Sequence, residues 1–301
     1  IKSLRQGVNK GRILTYRTRL KHTHLDQGPA QVKYNVGTQC NLACRMCLPT
    51  FSSKVKKVWD IMDRKVNTKV DDLLDNADYI LANRQNIDYI DITGGEPFFH
   101  KNVKKLLHEL IRTGDNEHIT LHIVTNATRV DQHTVNLLKQ FKNVVLSISM
   151  DGVGKVQEYI RPGCSWETLE NNINLLKQNN FSLQVLATIS VLNIIHLEEL
   201  ETWCKDNKMH WANPGLVFNH AEFAPHNLPY QLHDEVPGKY KKYLNKGMTE
   251  DPVNFIKDLD RYWGTDISKH MPEWDKVFNN LHWQNANKLI EMEQVARRYA
   301  G

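Results

Sequence analysis

The sequence predicts an α/β fold: a partial (β/α)6 barrel of parallel strands followed by a helical C-terminal extension. Three observations predict it. Strand-type and helical segments alternate from about residue 31 to residue 220. Each strand-plus-helix unit takes roughly 30–40 residues, enough for a crossover that returns the chain to the same end of a parallel sheet. The most distinctive polar motifs stand where strands end, and parallel β/α barrels gather their active sites on the C-terminal face. Alternation alone fits an open doubly wound sheet almost as well; right-handed crossovers in sequence order would curve it into a barrel.

Residues 32–36 read as a short strand that runs into a cysteine cluster, and 48–67 as a basic connection containing Trp59. Apolar spacing (Val70, Leu73, Leu74, Ala77, Ile80, Leu81) predicts a helix over 70–84. A strand over 87–93 ends in Gly94-Gly95-Glu96-Pro97. Then follow a helix over 103–112, a strand over 119–125 and a helix over 131–141, with Asp131 as its N-cap. A strand over 144–150 leads into Asp151-Gly152, and Ser165 caps a helix over 166–179. A fifth strand over 183–192, a helix over 197–208 and a sixth strand over 216–218 complete the core. Beyond about His220 the chain reads as loop, then helices over 239–246, 253–263, 274–281 and 284–299. The organisation is thus a basic N-terminal segment (1–30), an α/β core (31–220) and a helical extension (221–301).

The 301 residues are 41% hydrophobic, and no apolar run approaches the ~20 residues of a membrane helix. Net charge is +5, unevenly spread: residues 1–70 hold 15 Lys/Arg against 3 Asp/Glu, whereas 71–301 hold 24 against 31. A basic front can meet an acidic peptide, a phosphate or nucleic acid, or simply water. No RNA-binding motif with interleaved aromatics occurs there, which argues against nucleic acid without excluding it.

Three of the five cysteines, Cys40, Cys44 and Cys47, fall within eight residues. An odd, clustered set argues against a secreted disulfide framework and for a reducing cytoplasm. The spacing C-x3-C-x2-C lets three thiolates wrap one face of a cluster. Iron–sulfur clusters are held by thiolates, usually four; with three offered locally, one iron stays open to another ligand. Zinc on three Cys and a His, from His22 or His24, is the alternative, although structural zinc favours paired C-x2-C knuckles. Cys204 reads as a core thiol and Cys164 as a loop residue near Arg161.

The three-cysteine loop after the first strand resembles the signature of the radical S-adenosylmethionine (radical SAM) superfamily, over about residues 31–220. The resemblance implies a radical SAM barrel, a [4Fe–4S] cluster on Cys40, Cys44 and Cys47, and SAM on the open iron. It implies an enzyme in which one electron cleaves SAM to a 5′-deoxyadenosyl radical that takes a substrate hydrogen. Thr93-Gly94-Gly95-Glu96-Pro97 resembles the family's GGEP motif, whose glutamate meets the SAM amino group. Ser149, Asp151 and the downstream Arg161 resemble a segment whose arginine reaches the SAM carboxylate, a task suited to a guanidinium fork. Thr125-Asn126 stands where the family has T-N-G, with Ala127 replacing the glycine. Asn193 follows the fifth strand, where a polar group meets the ribose. These residues serve equally well as turn residues. Met46 stands where the family often has an aromatic residue against adenine. No catalytic residue is assigned.

Within the superfamily the motifs resemble the SPASM/twitch-like group, many of whose members modify peptides or proteins. That implies a peptide or protein substrate and a one-electron reductant of flavodoxin or ferredoxin type. A nucleotide or small-metabolite substrate, or a non-catalytic iron–sulfur or zinc protein, is the alternative. No cysteine follows Cys204, so no auxiliary cluster is expected after the barrel. Residues 1–5 resemble a segment that follows an N-terminal cysteine-rich region, which implies such a region upstream.

Overall fold

The computed structural model describes residues 30–64, 76–217, 220–245 and 248–279. The basic segment 1–29, the first part of the expected helix 70–84 and the expected helix 284–299 lie outside the described residues. Five strands form where β-branched residues concentrate: β1 (Gln31–Asn35), β2 (Tyr89–Thr93), β3 (Thr120–Thr125), β4 (Asn143–Ser149) and β5 (Ser182–Leu186). Two short pairs follow: β6 (Thr188–Ile189) with β8 (Gly215–Leu216), and β7 (His210–Trp211) with β5. The main sheet runs β1-β2-β3-β4-β5-β7, parallel throughout, as expected of a partial barrel.

Two strand expectations change. The sixth strand of the sheet is β7, not 216–218, because helix α7 (Leu197–Asp206) returns the chain to the sheet edge by His210. The expected strand 183–192 breaks after Leu186. Thr188 N–H donates to Asp151 Oδ1 at 2.8 Å, and β6 then pairs with β8 in a separate two-stranded sheet.

The crossovers are α2 (Ala77–Asn83), α3 (Lys101–Arg112), α4 (Gln132–Leu138) and α6 (Trp166–Gln178). Asp131 caps α4 through Thr134 N at 2.7 Å, and Ser165 caps α6 through Thr168 N at 3.3 Å. Two helices stand where loop was expected. In α1 (Ser53–Ile61), Ser52 caps the start and Val55, Val58 and Trp59 bury one face. The other is α5 (Lys155–Ile160), just after Asp151-Gly152. Residues 238–244 form 3₁₀ turns rather than the expected α-helix. The extension then continues as α8 (Pro252–Trp263), α9 (Ile267–His270) and α10 (Asp275–Phe278).

Two cores result. In one, Ile90, Ile92, Leu121, Ile123, Leu146 and Ile148 of the strands meet Leu106, Leu110, Leu138, Leu169 and Leu176 of the crossover helices. The other joins the cysteine loop (Ala43, Met46) and α1 to the extension through Phe223, Phe255, Ile256, Leu259 and the fully buried Trp274. Arg45, between Cys44 and Met46, reinforces that join. Its buried guanidinium stacks over Tyr159 at 3.9 Å and pairs with Asp260 of α8 at 3.1 Å.

The cysteine loop is also fixed from the sheet side. Val36 N–H donates to Thr93 O (2.8 Å), Gly95 N–H to Gly37 O (2.8 Å) and Glu96 N–H to Gln39 O (2.8 Å). Gly94 adopts φ +130°, which glycine alone takes without strain. A Cβ on Gly95 would overlap the carbonyl of Gln39 and stand 2.9 Å from the carbonyl carbon of Thr38. The diglycine therefore admits the backbone of the cysteine loop itself.

Gly95→Ala should leave the fold in place but displace the loop, lowering stability by about 1–3 kcal/mol and reducing iron uptake on reconstitution. Gly215→Ala, whose Cβ meets nothing within 4 Å, should do neither. Iron content and denaturation midpoints of the two variants read this directly. Trp274→Ala should cost about 3–5 kcal/mol and, through the shared core, also reduce iron uptake. Normal uptake by a destabilised Trp274→Ala would separate the extension from the loop.

Candidate active site at the C-terminal rim of the sheet

All three clustered cysteines lie between β1 and α1 as free, part-exposed thiols. Burial pushes each of them up, Cys47 to about 12, and neighbouring thiolates add to the shift at Cys44 and Cys47. Arg161 acts in the opposite direction on all three. Such thiols give up their protons to a metal rather than to water. Among the described residues no group of three or more His, Cys, Asp or Glu converges on a single-ion site. His22 and His24 lie outside the described residues. Three soft thiolates, with no fourth protein donor among the described residues, fit a [4Fe–4S] cluster with one open iron.

Glu96 follows the loop-docking turn and is wholly buried. Its Oε1 accepts from Thr125 Oγ1 (2.6 Å) and Phe98 N (3.2 Å), and its Oε2 from Asn126 N (2.8 Å). Burial raises its pKa; the three donors and Arg161 act against that rise. Asn126 extends the network, its Nδ2 donating to Asn41 Oδ1 in the cysteine loop at 3.0 Å. Thr93 to Pro97, Thr125, Asn126 and the cysteine loop are thus brought together.

Arg161, at the end of α5, completes the other side. Its Nε and Nη2 both lie 2.7 Å from Asp151 Oδ2, and its Nη1 lies 3.6 Å from Cys44 Sγ. Burial works against its charge, but Asp151 and Cys44 outweigh that, holding the guanidinium above its usual range. Asp151 is itself fixed: Oδ1 accepts from Thr188 N, and its N–H donates to Gln157 Oε1 at 2.8 Å.

The remaining expected contacts are buried or half-buried. Met46 is buried in the second core beside the extension. Ser149 is half-buried, its carbonyl accepting from Gln157 Nε2 at 3.3 Å. Asn193 is wholly buried and spends its side chain on its own turn, accepting from Ser190 N (2.8 Å) and donating to Thr188 O (3.0 Å). Cys204 is a core thiol as expected, and Cys164 is buried beside the loop that carries Arg161. Asp91, His122 and Gln184, on the inner face of the sheet, are not among the expected site residues. Period-two alternation in YIDIT, TLHIVT and SLQVL is the signal that exposes them.

The Radical SAM superfamily profile matches residues 34–206. The chain is 26% identical over 259 residues to Molybdenum cofactor biosynthesis protein 1 of Dictyostelium discoideum, covering 83% of this chain and 38% of that protein. It thus spans well under half the length of that relative. Streptococcus suis SuiB bound to S-adenosylmethionine superposes with a TM-score of 0.50 and 16% identity, over 83% of this chain and 55% of that one. Native anSMEcpe with bound AdoMet aligns at a TM-score of 0.49 and 16% identity, over 74% and 63%. With a profile match across more than half of its length, the chain belongs to the radical SAM superfamily.

Proposed function

We propose that the enzyme holds its cluster on Cys40, Cys44 and Cys47, and reductively cleaves SAM there to modify a peptide or protein. The cluster and SAM together supply a 5′-deoxyadenosyl radical that takes a hydrogen from the substrate. The observation that carries the reading is the pair of opposite charges flanking the cysteine loop. Glu96 offers an acceptor suited to an ammonium group, and Arg161, locked by Asp151, offers a guanidinium suited to a carboxylate. Both groups are fixed by the chain's own bonds, so ligand binding need not order them. Thr93, Gly94, Gly95, Pro97, Thr125 and Asn126 hold that arrangement. Met46, Ser149 and Asn193 remain assigned to the outer contacts of SAM.

A macromolecular substrate is supported by the strong positive surplus of residues 1–70. The SPASM/twitch-like motifs point the same way, and a flavodoxin- or ferredoxin-type protein is the electron source this chemistry needs. One observation favours a small molecule instead: the identity to a protein named for molybdenum cofactor biosynthesis. The described residues contain no helix long and apolar enough to cross a membrane. A reducing cytoplasm is the compartment that suits an open iron–sulfur site.

Anaerobically reconstituted enzyme given SAM and dithionite should release 5′-deoxyadenosine and methionine; intact SAM after prolonged reduction would sink the proposal. Cys44→Ala should lose both the visible absorbance of the cluster and SAM cleavage. Glu96→Gln should keep the cluster but weaken SAM binding by about 1.5–3 kcal/mol, the worth of a hydrogen bond to a charged group. Glu96→Ala is less informative, because it also strands three buried donors at about 1–3 kcal/mol each. Equal SAM affinity in wild type and Glu96→Gln would remove Glu96 from the site.

A further inference from the structure

The inner face of the sheet carries a polar row that the rim does not use. Ile90, Ile92, Leu121, Ile123, Leu146 and Ile148 turn toward the crossover helices. Strand alternation therefore turns Asp91, His122, Ser147 and Gln184 the other way, across β2, β3, β4 and β5. They form one hydrogen-bonded chain. His122 Nδ1 lies 2.8 Å from Asp91 Oδ1, and its Nε2 lies 2.6 Å from Ser147 Oγ. Gln184 Nε2 donates to Ser147 Oγ at 2.6 Å. A carboxylate only accepts, so Nδ1 carries the imidazole proton and Nε2 takes the hydroxyl hydrogen of Ser147.

That arrangement resembles a nucleophilic triad but leaves Ser147 wholly buried, its hydroxyl held between His122 and Gln184. Asp91 is the end of the chain that remains available. Its Oδ2 has no hydrogen-bond partner among the described residues, and its side chain is 20% exposed. Lys33, its register partner on β1, is exposed and makes no ion pair with it among the described residues. Tyr89, on the same face two residues earlier, stacks on His122 with ring centroids 6.2 Å apart. A carboxylate oxygen on the same strand face as an aromatic ring suits a cationic group.

Two further facts set this row apart from ordinary core filling. The interiors of parallel barrels are packed with branched apolar layers, and polar groups placed there cost stability. Asp91 also stands two residues below Thr93, about 6.6 Å down the strand from the rim. A molecule anchored at Asp91 would lie beneath the rim on the inner face.

We propose that Asp91 and Tyr89 form the floor of the substrate site and bind a protonated nitrogen group, an amine or guanidinium. His122, Ser147 and Gln184 are positioning residues that hold the carboxylate in place. This deepens the radical SAM reading of the rim and rests on it.

The test titrates reconstituted, SAM-loaded enzyme with agmatine, n-butanol and glutarate by calorimetry. Agmatine should bind saturably, and the neutral and anionic probes should not. Asp91→Asn should weaken agmatine by at least about tenfold, as loss of a charge-assisted contact requires. Tyr89→Leu should weaken it severalfold, and Lys33→Gln should not weaken it. Absence of saturable agmatine binding, equal binding of butanol, or an unchanged affinity in folded Asp91→Asn and Tyr89→Leu would overturn the proposal. Release of 5′-deoxyadenosine by the wild type reports separately on the rim: its absence counts against the reading there, whereas the agmatine titration reads the floor.

Discussion

Close approach of the cysteine loop to the turn after β2 sets the rest of the site. Two backbone bonds, from Gly95 N–H to Gly37 O and from Glu96 N–H to Gln39 O, carry the β1–β2 ladder past the end of the strands. The bonds form only because residue 95 lacks a side chain. From there the chain has little freedom. Ser53 N–H donates to Thr38 O (2.7 Å), and Ser52 Oγ, which caps α1, also donates to Leu42 O (3.1 Å). The thiols are thus placed by a loop bonded at both ends.

Buried charge does the remaining positioning, at a cost the fold offsets locally. An ion taken out of water is expensive unless paired and hydrogen-bonded. Glu96 is met by three donors, Arg161 by Asp151, and Arg45 by Asp260. Each tie joins a different pair of elements: β2 to β3, β4 to the turn after α5, and the cysteine loop to α8. The extension therefore contributes to the site from behind, through Arg45 and the second core, without supplying a thiol.

The sequence showed the parallel architecture, the caps at Asp131 and Ser165 and the cysteine loop, because each is a local pattern. It hid α1, where basic residues on the exposed face masked the Val55-Val58-Trp59 stripe. It misplaced the sixth strand, because β7 is two residues long and no periodicity marks it. It offered Glu96 and Asn193 only as polar residues at strand ends. What those side chains bond is a tertiary fact: Glu96 reaches β3, whereas Asn193 folds back on its own turn. The inner polar row was legible as alternation but is interpretable only once the helix-facing side is known.

Ala127 shows how firmly the rim is determined. The residue takes φ +54°, a left-handed conformation that costs a non-glycine residue roughly 1–2 kcal/mol. A glycine there would remove the strain, and the turn persists without one. Ala127 N–H donates to Thr125 Oγ1 at 2.9 Å, and Ala127 O accepts from Asn172 Nδ2 at 2.8 Å. Thr125 Oγ1 in turn donates to Glu96. The strained residue is therefore held by the same network that fixes the glutamate, and its methyl is wholly buried in the core. The shape of this edge follows from hydrogen bonds converging on Glu96 rather than from the conformational freedom of the chain at residue 127.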